Sequence, residues 1–466
     1  MSSQSRLGLP LALLLAALVA PQLVKLMALS VGVAIPSAVA FIGLMALAAI
    51  AIAARIRFAK VIVGPEFLIN ALPWIAFGSL PAAVGAIRGY DESYLAQSIF
   101  YMSFVGFSVL VGANLALHSV RVYEPDSAAA RVRGFTVMLA ILVLGAGAAQ
   151  VVTYLVFPDG FREWTDRLVD QKFLSISPYW TLLDTPLPRA FGFFQNPLSF
   201  GFVCLLLATL SWAYKQRVIM GLCLLGVLLS LTKTLLFLSG VVLFVLLLVR
   251  RPTFPKILTL QALASVTLIL LIAYSLMLVD VVDLNRESYQ SVLTRVETWA
   301  ILWDLIRAEP GWLWSGYAIT QVSTANPLGI NDVDFAIDNM YLLVVLYGGV
   351  VGLFFFLWMY YYNLVRLIKG VRRAGGTEAR VRRAIMSLWF VFPIWGVANA
   401  LIGNLSVFYL TYVLVLIALS AERRIGVEGF ARANEQCRMH ASARIGASHD
   451  EAELAPSGSV DPFSGV

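Results

Sequence analysis

Apolar runs long enough to cross a bilayer recur from one end of this chain to the other, separated by short polar stretches. Their length predicts helices rather than strands. Twelve stand out, near 7–23, 33–54, 67–87, 94–117, 134–157, 197–213, 218–231, 234–249, 257–279, 339–365, 384–402 and 405–420. The seventh, eighth, eleventh and twelfth are short and would pair through tight turns. The expected fold is all-α, a polytopic transmembrane helix bundle of about 12 spans over residues 1–421. A polar tail rich in Ala, Ser, Gly and charge follows at 422–466 and is expected to be disordered. Arg6 and the apolar run after it suggest a signal peptide, but apolar character resumes beyond Pro21, so the run reads as an uncleaved first span.

Two long polar segments interrupt this pattern, about 158–196 and 280–338. In the first, FREWTDRLVDQKF sets Phe161, Trp164 and Leu168 on one helical face, which suits a helix lying in a headgroup layer. In the second, Tyr289, Val292, Val296, Trp299, Trp303 and Ile306 recur at intervals of three and four, an amphipathic helix resting on the membrane or on the bundle. Connections this long within a packed protein tend to carry function.

Composition agrees with the pattern. Of 466 residues, 60% are hydrophobic and 13% charged, and mean hydropathy is +0.82, which excludes an ordinary soluble domain. The net charge of +7 would suit a nucleic-acid partner, but the cations sit at span ends, where they set membrane orientation; no nucleic acid is expected. With both termini in the cytoplasm, only ten of the 34 Lys and Arg residues fall outside: Lys25, Arg88, Arg162, Arg167, Lys172, Arg189, Lys233, Arg286, Arg295 and Arg307. The densest group, Arg366, Lys369, Arg372, Arg373, Arg380, Arg382 and Arg383, falls on an inner loop. Both long polar segments are then external. Cys204 and Cys223 lie in apolar runs and Cys437 in the tail, so no metal clip or disulfide framework is read. His118, His440 and His449 all fall inside, which leaves no imidazole for acid–base or metal chemistry at the external face.

What that face does hold is carboxylates and cations. Arg189 stands in RAFGFFQNPLSFG, where Gly192 permits an unusual backbone or close approach and Asn196–Pro197 turns into a span. An arginine held by such a turn can grip a phosphate oxygen bidentately, or simply anchor at the interface. Lys233, between Thr232 and Thr234 in LSLTKTLLFL, sits near membrane depth, where a lysine needs an anionic partner or must snorkel. Arg295 lies one step off its helix's apolar stripe, near Glu297 and Trp299; a surface ion pair is the simpler reading. Asp338 and Asn339 begin the tenth span; Asp338 can cap that helix or act as general base toward a sugar hydroxyl. Gly348 and Gly352 are spaced for close helix packing.

Taken in order, RAFGFFQNPLSFG, the S-x-T-K stretch at Ser230–Lys233, R-x-x-x-W at Arg295–Trp299, EPGWLWSGY and DNMYLLVVLYGGVVG resemble the O-antigen ligase and O-antigen polymerase superfamily of bacterial inner-membrane glycosyltransferases. The resemblance covers roughly 189–352. It implies inverting, metal-independent glycosyl transfer at the periplasmic face, with no cofactor, from an undecaprenyl-pyrophosphate-linked glycan to an acceptor sugar. Arg189, Arg295 and Lys233 would hold the pyrophosphate, Arg295 also serving catalysis, with Asp338 as base and Asn339, Asn196 and Gly192 in support. Lys233 stands where relatives often carry arginine, keeping charge but losing the planar fork. Ligases carry His before this Asn, and here it is Asp338, which favours a polymerase joining repeat units over a ligase acting on lipid A-core or protein. Membrane lipid, a chain-length regulator and a flippase are the expected partners. A transporter without glycosyl transfer is a third reading, disfavoured for ions because charges within the spans are nearly absent.

Overall fold

A helix that is apolar on every side belongs at the centre of a bundle. In the computed structural model the segment Pro197–Ala213 (α4) takes that place: every residue in it except Trp212 is buried. The structure describes residues 65–89, 125–170, 179–182, 185–194, 196–249, 251–281, 297, 299–317, 339–397, 411 and 415. The spans expected near 7–23, 33–54 and 94–117, nearly all of 405–420, and the tail 422–466 lie outside these residues.

Before α4 come α1 (Pro65–Ile87), α2 (Pro125–Val156), the short α3 (Pro158–Asp170) and two strands, β1 (Tyr179–Leu182) and β2 (Thr185–Pro188). After it come α5 (Arg217–Leu229), α6 (Lys233–Leu248), α7 (Phe254–Val281), α8 (299–308) and a 3-10 turn at Pro310–Leu313. The described chain closes with α9 (Met340–Arg373), α10 (Gly376–Phe390) and α11 (Phe392–Gly396). Among the described residues, three stretches, Thr136–Val156, Phe254–Tyr274 and Met340–Arg373, are long and apolar enough to cross a membrane. The bundle's outer helices leave apolar sides uncovered, among them Ile141 and Leu155 on α2, Leu222 and Leu225 on α5, and Leu263 and Leu270 on α7. Lipid is the natural neighbour for such surfaces.

Helices predominate, as expected, but the all-α reading needs one correction. β1 and β2 form an antiparallel hairpin with Tyr179 opposite Pro188. Pro186 and Pro188 cannot donate to a helical ladder, and Tyr179, Trp180 and Thr181 favour extended backbone. The expected loop around the basic cluster is also absent: α9 runs on through Arg373, and only Ala374 and Gly375 separate it from α10. Arg380 Nε donates to the Ala213 carbonyl at 2.8 Å, satisfying a C-terminal acceptor of α4. Buried Arg382 pairs with Glu378 at 2.5 Å. The C-terminal ends of α4 and α9 therefore share one end of the bundle.

Buried polar bonds tie the helices to one another. Gln261 Nε2 on α7 donates to the Tyr360 hydroxyl and to the Phe390 carbonyl, both at 2.8 Å. Asn363 Nδ2 on α9 donates to Asn70 Oδ1 on α1 at 2.8 Å. Where no water competes, such bonds hold helices in register.

The two amphipathic segments differ from their expected faces by one position each. On α3, Phe161, Thr165 and Leu168 are buried, whereas Trp164 is left half-exposed. On α8, Leu302 and Ile306 are buried and Trp303 points outward, its ring beneath the Arg307 guanidinium at 5.5 Å. In each case an aliphatic or small side chain fits the seam better than the bulky indole one position away.

Candidate functional site

The end of the bundle opposite Ala213 gathers most of the polar groups singled out in the sequence. α4 and α5 form an antiparallel hairpin, so the start of α4 lies beside the end of α5, and the chain entering α4 is stitched there. Ala190 N donates to the Leu229 carbonyl at 2.9 Å. The Arg189 guanidinium reaches across the turn between α5 and α6, donating from Nε to the Ser230 carbonyl (3.4 Å) and from Nη2 to Thr232 Oγ1 (3.2 Å). Lys233, the next residue, opens α6. Burial lowers the Arg189 guanidinium to about 10. Lys233 is exposed beside the half-buried guanidinium, and two cations held this close favour the arrival of an anion because it offsets their mutual repulsion.

Residues 190–194 are held by a side chain that the sequence reading passed over. Gln150, near the end of α2, accepts at Oε1 from Phe191 N (3.1 Å) and Gly192 N (2.8 Å), and its Nε2 donates to the Gly192 carbonyl (2.8 Å). Gly192 has φ +56°, and a Cβ there would come within 2.9 Å of the Phe200 ring, so both backbone and packing call for glycine. Asn196 caps α4, its Oδ1 accepting from Ser199 N at 2.7 Å. The lone amide in the apolar run AGAAQVVTYLVF was the available signal for Gln150.

Asn339 caps α9 in the same manner, Oδ1 accepting from Tyr341 N and Leu342 N, both at 3.0 Å. Its Nδ2 donates to the Val397 carbonyl at 3.1 Å, just beyond α11. Trp395 of α11 stacks on Phe202 of α4 at 4.9 Å, which brings the α9 cap to the same end of the bundle as Arg189.

Nine residues into α9 the helix breaks. Gly349 has φ +69° and ψ −172°, and the residues before and after it are helical. Gly348 and Gly352, the pair expected to pack closely, are both buried, and Gly349 beside them forms a docking joint. Tyr317 N donates to the Leu346 carbonyl at 2.7 Å, and Val351 N donates to the Trp314 carbonyl at 3.4 Å. An unbroken ladder would satisfy that carbonyl and that amide within the helix; here EPGWLWSGY satisfies them instead. Gly316, at φ +92°, makes room for the approach. The joint is clamped by Arg88, past the end of α1, which pairs with Glu309 and lies 4.9 Å over Trp312 and 5.8 Å over Tyr317. The Tyr317 hydroxyl donates to the Glu309 carbonyl at 2.7 Å.

Of the expected site residues, the structure brings Arg189 and Lys233 together, and uses Gly192 and Asn196 to shape the approach to α4 and Asn339 to start α9. Asp338 and Arg295 lie outside the described residues. Gln150, Thr232 and the Arg88 clamp are additions. Among the described residues, no cluster of His, Cys, Asp or Glu is placed to hold a metal ion.

No curated protein matches this chain. Residues 198–357 match the family model described as O-antigen ligase, a stretch that starts at the head of α4 beside the Arg189 turn and ends past the Gly349 break. Over those residues the chain is similar to the O-antigen ligase and polymerase superfamily.

Proposed function

We propose that this protein is a polysaccharide polymerase, joining undecaprenyl-pyrophosphate-linked oligosaccharide repeat units into O-antigen, capsular polysaccharide or exopolysaccharide at the periplasmic face of the bacterial inner membrane. The observation that carries this reading is the seating of Arg189 and Lys233 on the turn between α5 and α6. α5 has 13 residues and α6 has 16, so they rise only about 20 and 24 Å, against a hydrocarbon core of about 30 Å. With the basic ends of α9 and α10 at the cytoplasmic surface, this hairpin stops short of the periplasmic surface. Its cations then lie at the depth of a lipid carrier's phosphates rather than in free solvent.

The chemistry follows from that placement. The acceptor hydroxyl oxygen attacks the anomeric carbon of the donor chain, and the bond from that carbon to the pyrophosphate oxygen breaks. Its electron pair leaves on the pyrophosphate, whose charge Arg189, Lys233 and Arg295 neutralise without a metal. A single displacement inverts the anomeric centre. The hydroxyl proton passes to the Asp338 carboxylate, which immediately precedes the Asn339 cap. The products are the extended glycan and the freed carrier pyrophosphate.

Replacement of Arg189 by Ala in the producing strain tests this directly. Single repeat units should accumulate on the carrier and long polymer should disappear; polymer of normal length and amount would refute the role. The family description, O-antigen ligase, favours a second reading, transfer of finished glycan to lipid A-core or protein. A deletion strain separates the two. Loss of chain length marks a polymerase, and long chains stranded on the carrier mark a ligase.

A further inference from the structure

We infer that Trp164 forms a sugar-stacking subsite for the first pyranose attached to the carrier pyrophosphate, an inference that rests on Arg189 holding that pyrophosphate. α3 buries Phe161 and Leu168 almost completely, yet leaves Trp164 39% exposed. The indole is not loosely placed. One face stacks on Phe191, centroids 5.9 Å apart and planes 23° apart, and Phe161 meets it at 5.6 Å. Tyr154 supports Phe161 edge-on at 5.8 Å. Phe191 is itself buried, with its backbone fixed by Gln150, so the ring it carries is set by a rigid frame.

Phe191 is two residues from Arg189, which bounds the separation of their Cα atoms at about 7 Å. A fixed, partly open indole therefore stands against the same short segment that carries the guanidinium that would hold a phosphate. The sugar esterified to that phosphate has to lie within a few bonds of it. One face of a pyranose carries axial C–H groups with partial positive charge, which match the negative π face of an aromatic ring. Indole offers the largest such face at little cost in side-chain freedom. An interfacial tryptophan anchoring the helix in lipid is the competing role, and it makes a different prediction, because an anchor does not sense whether the carrier bears sugar.

The test uses the full-length protein in nanodiscs and two probes: undecaprenyl pyrophosphate without sugar, and the undecaprenyl-pyrophosphate-linked repeat unit extracted from the producing strain. Trp164→Ala should weaken binding of the glycan-bearing probe roughly five- to tenfold and leave the bare carrier unchanged. Trp164→Phe, which keeps a ring and the α3 packing, should lose only about twofold, again on the glycan-bearing probe alone. Equal losses on both probes would assign Trp164 to the lipid and overturn the subsite, as would no loss on either. If Trp164→Ala does not yield folded protein, Trp164→Phe decides by the same comparison. Failure of the underlying reading looks different: wild-type protein would not bind the bare carrier, or Arg189→Ala would bind it as wild type does.

Discussion

Gly349→Ala probes whether the broken α9 is a built joint. At φ +69° and ψ −172°, Gly349 occupies a region that is essentially closed to residues with a side chain. A Cβ there would overlap the Trp314 carbonyl and come within 2.6 Å of Gly316 N, both backbone groups with little room to give. Alanine therefore has two options. It can hold the strained conformation at about 1–3 kcal/mol. Or it can straighten the helix and expel the segment 314–317, which sacrifices the bonds from Tyr317 N to Leu346 O and from Val351 N to Trp314 O and uncovers Tyr317. Each bond contributes about 0.5–1.5 kcal/mol. The cheaper course sets the outcome, so the expected loss is about 1–3 kcal/mol. Thermal unfolding in nanodiscs reads the loss, and amide exchange locates it, with faster exchange at residues 314–317. Gly221→Ala on α5 serves as control, because nothing lies within 4 Å of its Cβ position and its backbone is helical. A Gly349→Ala protein that melts at or above wild type, with exchange at 314–317 unchanged, would show that the break is not a feature the fold depends on.

Three further outcomes follow from the same geometry. Gln150→Leu removes all three bonds to Phe191 and Gly192 and should raise KM for the lipid-linked donor several-fold with little change in kcat, since it loosens the support of Arg189 and touches no substrate. Lys233→Ala should lower kcat/KM for the lipid-linked donor about tenfold, because it takes away a charge that attracts the pyrophosphate, and Lys233→Arg should restore most of the loss; unchanged kcat/KM in Lys233→Ala would remove this residue from the site. Arg88→Ala should cost about 1–2 kcal/mol of stability through loss of the Glu309 pair and the Trp312 ring contact. A double-mutant cycle between Arg88 and Glu309 should return a coupling of about 0.5–1 kcal/mol, and zero coupling would reduce the clamp to packing.

Much of the bundle was legible because burial in lipid demands long apolar helices, and hydropathy reports that demand residue by residue. The run 197–213 coincides with α4, and 218–231 and 234–249 differ from α5 and α6 by a residue or two at each end. The basic group at 366–383 was misplaced onto a loop because charge marks the end of the apolar run, whereas the helix continues for as long as its backbone is paired. Gly192 and Asn196 were legible as turn and cap because those roles depend on local backbone preference.

What the linear pattern by itself determined was therefore the helical class, the bounds of the short apolar helices α4 to α6 within a residue or two, and the turn and cap residues Gly192 and Asn196. Only the tertiary structure decided that Arg189 reaches Thr232, that Gln150 holds the backbone at Gly192, and that Trp314 and Tyr317 occupy the break at Gly349. Those contacts join residues 29 to 43 positions apart, and hydropathy has no memory at that range. They depend on how short α5 and α6 are, on where α4 is enclosed, and on which backbone groups a broken helix leaves in need of partners.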